Sequence, residues 1–173
     1  RLDLQAQAKI RTFNAKHSEF ISSVAGKEVE LNDLTEQAVN DLFDELFAHY
    51  LDNEVEGVKV ARVNADLYNA IVNGGLATTA KGSTVNIDSN RVHMFKDFVI
   101  EALPATLFQE GEVAYTYVTN VAKAFTGINT ARTIESEDFD GVALQGAGKA
   151  GEFILDDNKL AVAKVTVDGT PEG

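Results

Sequence analysis

Gly146, Gly148 and Gly151 spell GxGxxG with Lys149 among them, the spacing by which a dinucleotide-binding turn lays backbone amides against a pyrophosphate. That chemistry needs a strand before the glycines and a helix after them. Here Glu152 to Leu155 follow and read as a strand. No acidic residue closes a second parallel strand about 20 residues further on. The motif therefore reads as a glycine-rich bend between strands, and no cofactor is implied. His17, His49 and His93 are the three histidines, and no two stand at metal-ligand spacing. His17 and His49 sit among apolar neighbours at helical spacing, as packed or rim histidines do. Glu135, Glu137, Asp138 and Asp140 before Gly141 offer hard oxygen ligands, but the spacing fits no calcium loop, and a solvated turn is the simpler reading. His17 beside Ser18 makes no dyad, because helix neighbours one apart point in different directions. No nucleophile elbow or P-loop occurs, and 27 acids offer many carboxylate pairs with nothing to single one out. The expected catalytic, cofactor-binding and metal residues are none, and the chain reads as no enzyme.

The segments that would have to position any site say more. The chain has 173 residues, 45% of them hydrophobic and only 2 of them proline, which is a folding composition able to bury roughly 70% of its unfolded surface. Zero cysteines exclude a disulfide framework, a thiolate zinc site and a cysteine nucleophile. No apolar run approaches the roughly 20 residues of a membrane span. The net charge of -12 is uneven: Glu28 to Glu56 holds ten acids and no lysine or arginine, whereas residues 1–27 carry five bases against two acids. No basic stripe is present, so neither sequence-specific nucleic-acid binding nor membrane docking is expected.

Leu2, Ala6, Ile10, Phe13, His17, Phe20, Ile21 and Val24 recur at steps that put them on one helical stripe ending at Gly26. This predicts a long helix from Leu2 to Ala25, about 36 Å at 1.5 Å per residue, lying as a beam across the domain. Asp33 and Glu36 stand at capping-box spacing ahead of Val39, Leu42, Phe43, Leu46, Phe47, Tyr50 and Leu51, a second amphipathic helix with an acidic outer face. Val58, Val60 and Val63 read as a strand, and Asn64 as the cap of a helix over 65–72 closed by Gly74. Residues 77–91 read as an exposed loop. Strands are expected over 92–103 up to Pro104, then 113–119, 131–134, 142–144, 152–155 and 160–167, the last two joined by a hairpin turn at Asp156 to Lys159. The fold class is α+β: a long helix, a second amphipathic helix and a mainly antiparallel sheet.

The run from Val63 to Ile71, and more clearly Phe125 to Lys159 with its strands, glycines and Asp156-Asp157-Asn158-Lys159 turn, resembles the major capsid proteins of tailed bacteriophages with the Hong Kong-phage-type fold. The resemblance covers roughly residues 30–167 and consists of a structural pattern without a catalytic signature. It implies a structural subunit of a phage or prophage virion, tiling as hexamers and pentamers into an icosahedral shell around packaged DNA and assembled in the host cytoplasm. It implies a spine helix of a peripheral domain over 1–30, an axial-like domain over 31–125, and strands returning to the peripheral domain over 126–173. Partners would be copies of the chain itself, with scaffold, portal or decoration proteins. The family's N-terminal arm and extended loop precede the spine, and nothing ahead of Arg1 supplies them, so a truncated piece of a longer protein is expected.

An encapsulin-like nanocompartment shell is the rival within the fold, separated from it by a neighbouring cargo enzyme, and a bacterial surface or adhesin domain is the rival outside it. The opposed charge of the first two segments adds an expectation of its own: neighbouring copies pair unlike faces, gaining specificity more than affinity.

Overall fold

The computed structural model describes residues 2–74, 84–86, 91–135 and 142–167. Helix α1 runs Leu2–Ser23, α2 Glu36–Asp52 and α3 Ala65–Asn73. Strands β1 Lys27–Leu31, β2 Lys59–Val63, β3 Thr84–Asn86, β4 Arg91–Phe95, β5 Phe98–Ala102, β6 Glu112–Val118 and β9 Val162–Val167 form one sheet in the order β1-β9-β6-β2-β5-β4-β3. Strands β7 Ala122–Glu135 and β8 Val142–Ile154 pair with each other as a separate antiparallel hairpin. The large sheet is mainly antiparallel, with β1 parallel to β9 and β2 parallel to β5.

Three layers result. On one face α2 and α3 bury Val39, Leu42, Phe43, Leu46 and Tyr50 with Leu67 and Ile71 against Ala114, Val118, Ala163 and Val165. Phe43 meets Phe95 and Phe98 edge to face, at centroid distances of 5.0 and 5.4 Å. The Tyr50 hydroxyl, buried in this core, is paired with Thr116 Oγ1 at 2.7 Å. On the opposite face Ile21 of α1 packs with Tyr115 and Val162, flanked by Ala122 and Ile154 from the root of the hairpin.

The second helix begins later than a box at Asp33 and Glu36 would place it. Asp33 Oδ1 accepts from both the Thr35 N–H, at 2.9 Å, and the Thr35 hydroxyl, fixing an Asx turn that holds Thr35 extended. Thr35 is the cap, and its Oγ1 accepts from Ala38 N–H. The expected stripe is also too wide. At roughly 100° per residue, Phe47 lies about 80° and Leu51 about 120° round from Val39, off the buried face, and they are 37% and 65% exposed. For α3 the expected Asn64 cap and Gly74 end are both found, with Asn64 Oδ1 accepting from Leu67 N–H at 2.9 Å.

Helix α1 is long, as expected, but does not lie across the domain along its whole stripe. Ile10 faces the same side as Ile21, yet it is 59% exposed while Ile21 is buried, so the first half overhangs the sheet.

Four strand expectations need correction. Residues 92–103 form no single strand, because Lys96 and Asp97 both take positive φ, 46° and 72°, and turn β4 back on β5. That turn lacks the glycine or asparagine such φ values favour. Ion pairs from Lys96 to Asp44 and from Asp97 to Lys59, with Phe95 and Phe98 gripping Phe43, hold it instead. Residues 131–134 are part of the longer β7, and 142–144 and 152–155 fall at the two ends of one strand, β8, whose glycines lie within it, opposite a register irregularity of β7 between Thr126 and Asn129. Asp156 to Lys159 make no hairpin turn: they open a 310 turn, Asp156–Ala161, that carries the chain from the β8 hairpin to β9 in the other sheet. Strand β1 was not anticipated at all. Of the loop expected over 77–91, the described residues are strand instead, Thr84–Asn86 forming β3 and pairing with β4, which starts at Arg91; the rest lies outside the described residues, as do Glu137, Asp138, Asp140 and Gly141 of the acidic cluster.

Two leucines of α2 test the placement of the core. Leu46→Ala is expected to lower unfolding free energy by about 2–5 kcal/mol, and Leu51→Ala to change it by less than about 0.5 kcal/mol, in urea melts of the isolated chain. Equal effects would contradict the layer assignment.

Candidate interaction surface

The side chains with chemical potential converge where α1 meets the sheet. Residues Ser18 and Ser22 sit one turn apart beside the buried Ile21, and their side chains reach down into β6. The Ser18 hydroxyl pairs with Tyr115 OH at 2.9 Å, and Ser22 Oγ–H donates to Glu112 Oε1 at 2.5 Å. Further along, His17 Nδ1 donates to Glu152 of the hairpin. The half-helix that docks is thus held by polar contacts to two different sheets together with the apolar cluster around Ile21.

Around that joint a row of side chains crosses the sheet at matched register. Glu101 of β5 lies opposite Arg62 of β2, which lies opposite Tyr115 of β6, then Lys164 of β9 and Glu28 of β1. Arg62 Nε–H donates to Glu101 Oε2 at 2.9 Å and its Nη1–H to Tyr115 OH at 3.4 Å, while Lys164 pairs with Glu28 at 3.0 Å. The Lys164 ammonium, through that bond and its charge, holds the Glu28 carboxyl below the usual glutamate range. Each neighbour in the row is of opposite sign or a hydroxyl, the arrangement that favours one cross-strand register.

Glu112 is the buried carboxyl of this surface. Loss of water raises its pKa above the ordinary glutamate value, against the opposing pull of its bonds from Ser22 and the Gln109 N–H and of the nearby Lys164 charge. It lines an open depression of about 270 Å³ with Glu19, Ser23, Glu110 and Thr166. Both oxygens are already engaged in structural bonds, one to a serine and one to a backbone amide. The Ser22 hydroxyl and both Glu112 oxygens are spent on bonds that tie α1 and the Gln109 backbone to β6, and the arrangement fastens a helix.

The residues singled out by sequence separate widely. Gly146, Gly148 and Gly151 lie in a strand and not before a helix, so no amide cradle forms. Gly151 has a different use: a Cβ there would stand 2.6 Å from the Phe125 ring, which lies across it. His17 meets Glu152. His49 Nε2–H donates to the Leu160 carbonyl at 2.9 Å, and its Nδ1 accepts from Asn53 Nδ2. The His93 side chain is outside the described set. Among the described residues no three His, Asp or Glu side chains group as metal ligands, and no helix is long and apolar enough to cross a membrane. Sequence reasoning missed Ser18, Ser22 and Glu112. Their signal is two serines four apart beside a buried stripe, and a single acid opening the run Val113 to Val118.

The hairpin root has two unlike faces. Ala122, Glu152 and Ile154 look to α1, whereas Lys123, Phe125 and Phe153 point away, the two phenylalanines 56% and 50% exposed.

No protein-family model and no curated protein matches the chain. Solved structures do. The chain superposes on the capsid structure of cyanophage P-SCSP1u with a TM-score of 0.79, at 10% identity over 98% of this chain and 66% of that one. With Mycobacterium phage Che8 the TM-score is 0.71, at 12% identity over 95% and 63%. With the mature capsid of bacteriophage PhiM1 it is 0.58, at 11% identity over 84% and 52%. The chain has the phage capsid fold. It spans two thirds or less of the length of these solved phage chains. Within the capsid fold α1, as the opening helix, is fastened to β6 and to the hairpin by the serine, glutamate and histidine contacts above.

Because the Glu112 pKa is higher folded than unfolded, the folded chain binds more protons between those two values, and stability falls as pH rises through that window. Glu112→Gln keeps an acceptor for Ser22 and removes the buried charge. Melts should show the variant gaining on the parent as pH rises from 4 to 7, with little difference at pH 4. A difference independent of pH would contradict this account of Glu112.

Proposed function

We propose that the chain is a structural, non-catalytic subunit of an icosahedral phage or prophage capsid, joining copies of itself into hexamers and pentamers around packaged DNA. The observation that carries this reading is the superposition on a phage capsid over 98% of the chain. In this reading residues 1–30 are the spine element, 31–125 the axial-like domain and 126–173 the return to the peripheral domain. Strand β9 would then be the stitch by which that return is sewn into the axial-like sheet. The subunit belongs to the virion, is assembled in the host cytoplasm, and meets scaffold, portal or decoration proteins.

A shell subunit needs repeated contact surface and encloses nucleic acid without gripping it. A net charge of -12 is compatible with that task and unsuited to tight phosphate binding.

Electron microscopy of the full-length gene product expressed in bacteria is expected to show closed particles or ring-shaped capsomers, and a monomer at every concentration would overturn the reading. Assembly should weaken as salt is raised from 50 to 500 mM, because exposed charge pairs are screened over a Debye length of about 10 Å at 0.1 M. Assembly indifferent to ionic strength would remove the expected pairing of unlike faces.

A further inference from the structure

On the outward face of the hairpin root and on the flank of α2, exposed apolar side chains adjoin charges that have no ion-pair partner among the described residues. On the hairpin, Lys123 sits opposite Phe153 in register and two residues from Phe125, so the three share one face. Lys123 has no ion-pair partner among the described residues, and β7 and β8 together carry three bases against Glu135 and Glu152, the latter engaged by His17. On α2, Phe47 and Leu51 lie one turn apart and border the acidic side of the helix. Asp52 and Glu54 follow without ion-pair partners among the described residues, whereas Asp44 and Glu45 are taken by Lys96 and Lys27. Exposed apolar patches rimmed by charge mark interaction sites.

These two surfaces cannot meet within one chain. Helix α2 covers the face of the sheet that presents Ala114, Thr116 and Val118, and the hairpin root packs with α1 against Tyr115 on the opposite face. We propose that the outward face of the hairpin, Lys123, Phe125 and Phe153, receives the exposed flank of α2, Phe47, Leu51 and Asp52, of a second copy of the chain. The phenylalanines supply buried apolar area, and the lysine facing Asp52 and Glu54 sets orientation. Such a contact joins unlike surfaces and leaves the α2 flank of one copy and the hairpin face of the other still open, so it propagates and closes into a ring where the rotation permits. On helix α1, Arg11 and Lys16 also have no ion-pair partner among the described residues, and the exposed apolar side chain described beside them is Ile10.

The inference rests on the shell reading above, and charge reversal in the full-length product separates the two. Lys123→Glu and Asp52→Lys are each expected to raise the concentration needed for assembly at least tenfold, as measured by analytical ultracentrifugation. The double variant should recover, because every contact then has its polarity exchanged. Phe153→Ser should raise that concentration similarly, with circular dichroism melts confirming that each variant is folded. Carbodiimide treatment of the assembled parent should link Lys123 of one copy to Asp52 or Glu54 of another. If the parent assembles and the folded variants match it, or if the links run from Lys16 instead, the hairpin contact is wrong and the shell reading stands. A parent that never associates overturns both.

Discussion

Insertion of β9 between β1 and β6 is the constraint on which the rest of the structure depends. It pairs a segment from the end of the chain with one that starts at Lys27, in parallel register from Lys27 with Ala163 to Leu31 with Val167. The junction at Gly26 makes that register possible. Its N–H is shared between the carbonyls of Lys159 and Val162, each at 3.0 Å, and a Cβ there would stand 2.6 Å from the Lys159 oxygen. The end of α1, the start of β1 and the 310 turn before β9 thus meet backbone to backbone, which only glycine allows. With that junction set, α1 must descend on the Tyr115 side of the sheet, and the hairpin, anchored immediately before the turn, must root beside it. Pairing so distant in sequence is entropically demanding to form and leaves the sheet open until the C-terminal strand arrives.

What was legible in the sequence follows the same division between local and distant causes. Helices α2 and α3 were readable because their information is local: apolar residues at helical spacing, Asn64 as a cap, Gly74 as a stop. Where the α2 reading failed, at Phe47 and Leu51, the sequence showed spacing but not how far round the cylinder the sheet would reach. Strand β1 escaped although Lys-Glu-Val-Glu-Leu alternates, because five residues between two helices gain meaning only from a partner 136 positions away, as Lys27 is from Ala163. Asp156 to Lys159 have hairpin-turn composition, yet composition cannot say that the strands on either side belong to different sheets. The surface at α1 was the least legible, since Ser18, Ser22 and Glu112 are ordinary polar residues until the fold brings them together.

The two faces of the sheet are built on different physics. The α2 and α3 face is an aromatic and aliphatic core in which the Tyr50 and Thr116 hydroxyls pair with each other. The α1 face carries a cross-strand row of charges and hydroxyls, and the helix lies on it through two serines, a histidine and few apolar side chains. Apolar burial gains about 25 cal/mol per Å² wherever surface is covered, whereas polar contacts reward one geometry and lose most of their value when it changes. The sheet with α2 and α3 therefore behaves as a rigid plate, and α1 as a lever seated on it in a definite position.

That contrast argues for where contacts between copies should act. A plate with ten acids concentrated between Glu28 and Glu56 repels its own kind face to face, so like-to-like pairing is disfavoured. Unlike-to-unlike pairing turns the same charge into a direction, and directional head-to-tail contacts are those that build rings and shells. Each such contact can be weak, because a subunit in a closed ring is held at two places and its loss requires both to open together. Weak, directional and repeated contacts also let misplaced copies leave before the ring closes, which strong apolar interfaces would prevent. On this argument a modest exposed patch with two phenylalanines and one lysine is a sufficient interface, and a larger one would hinder assembly.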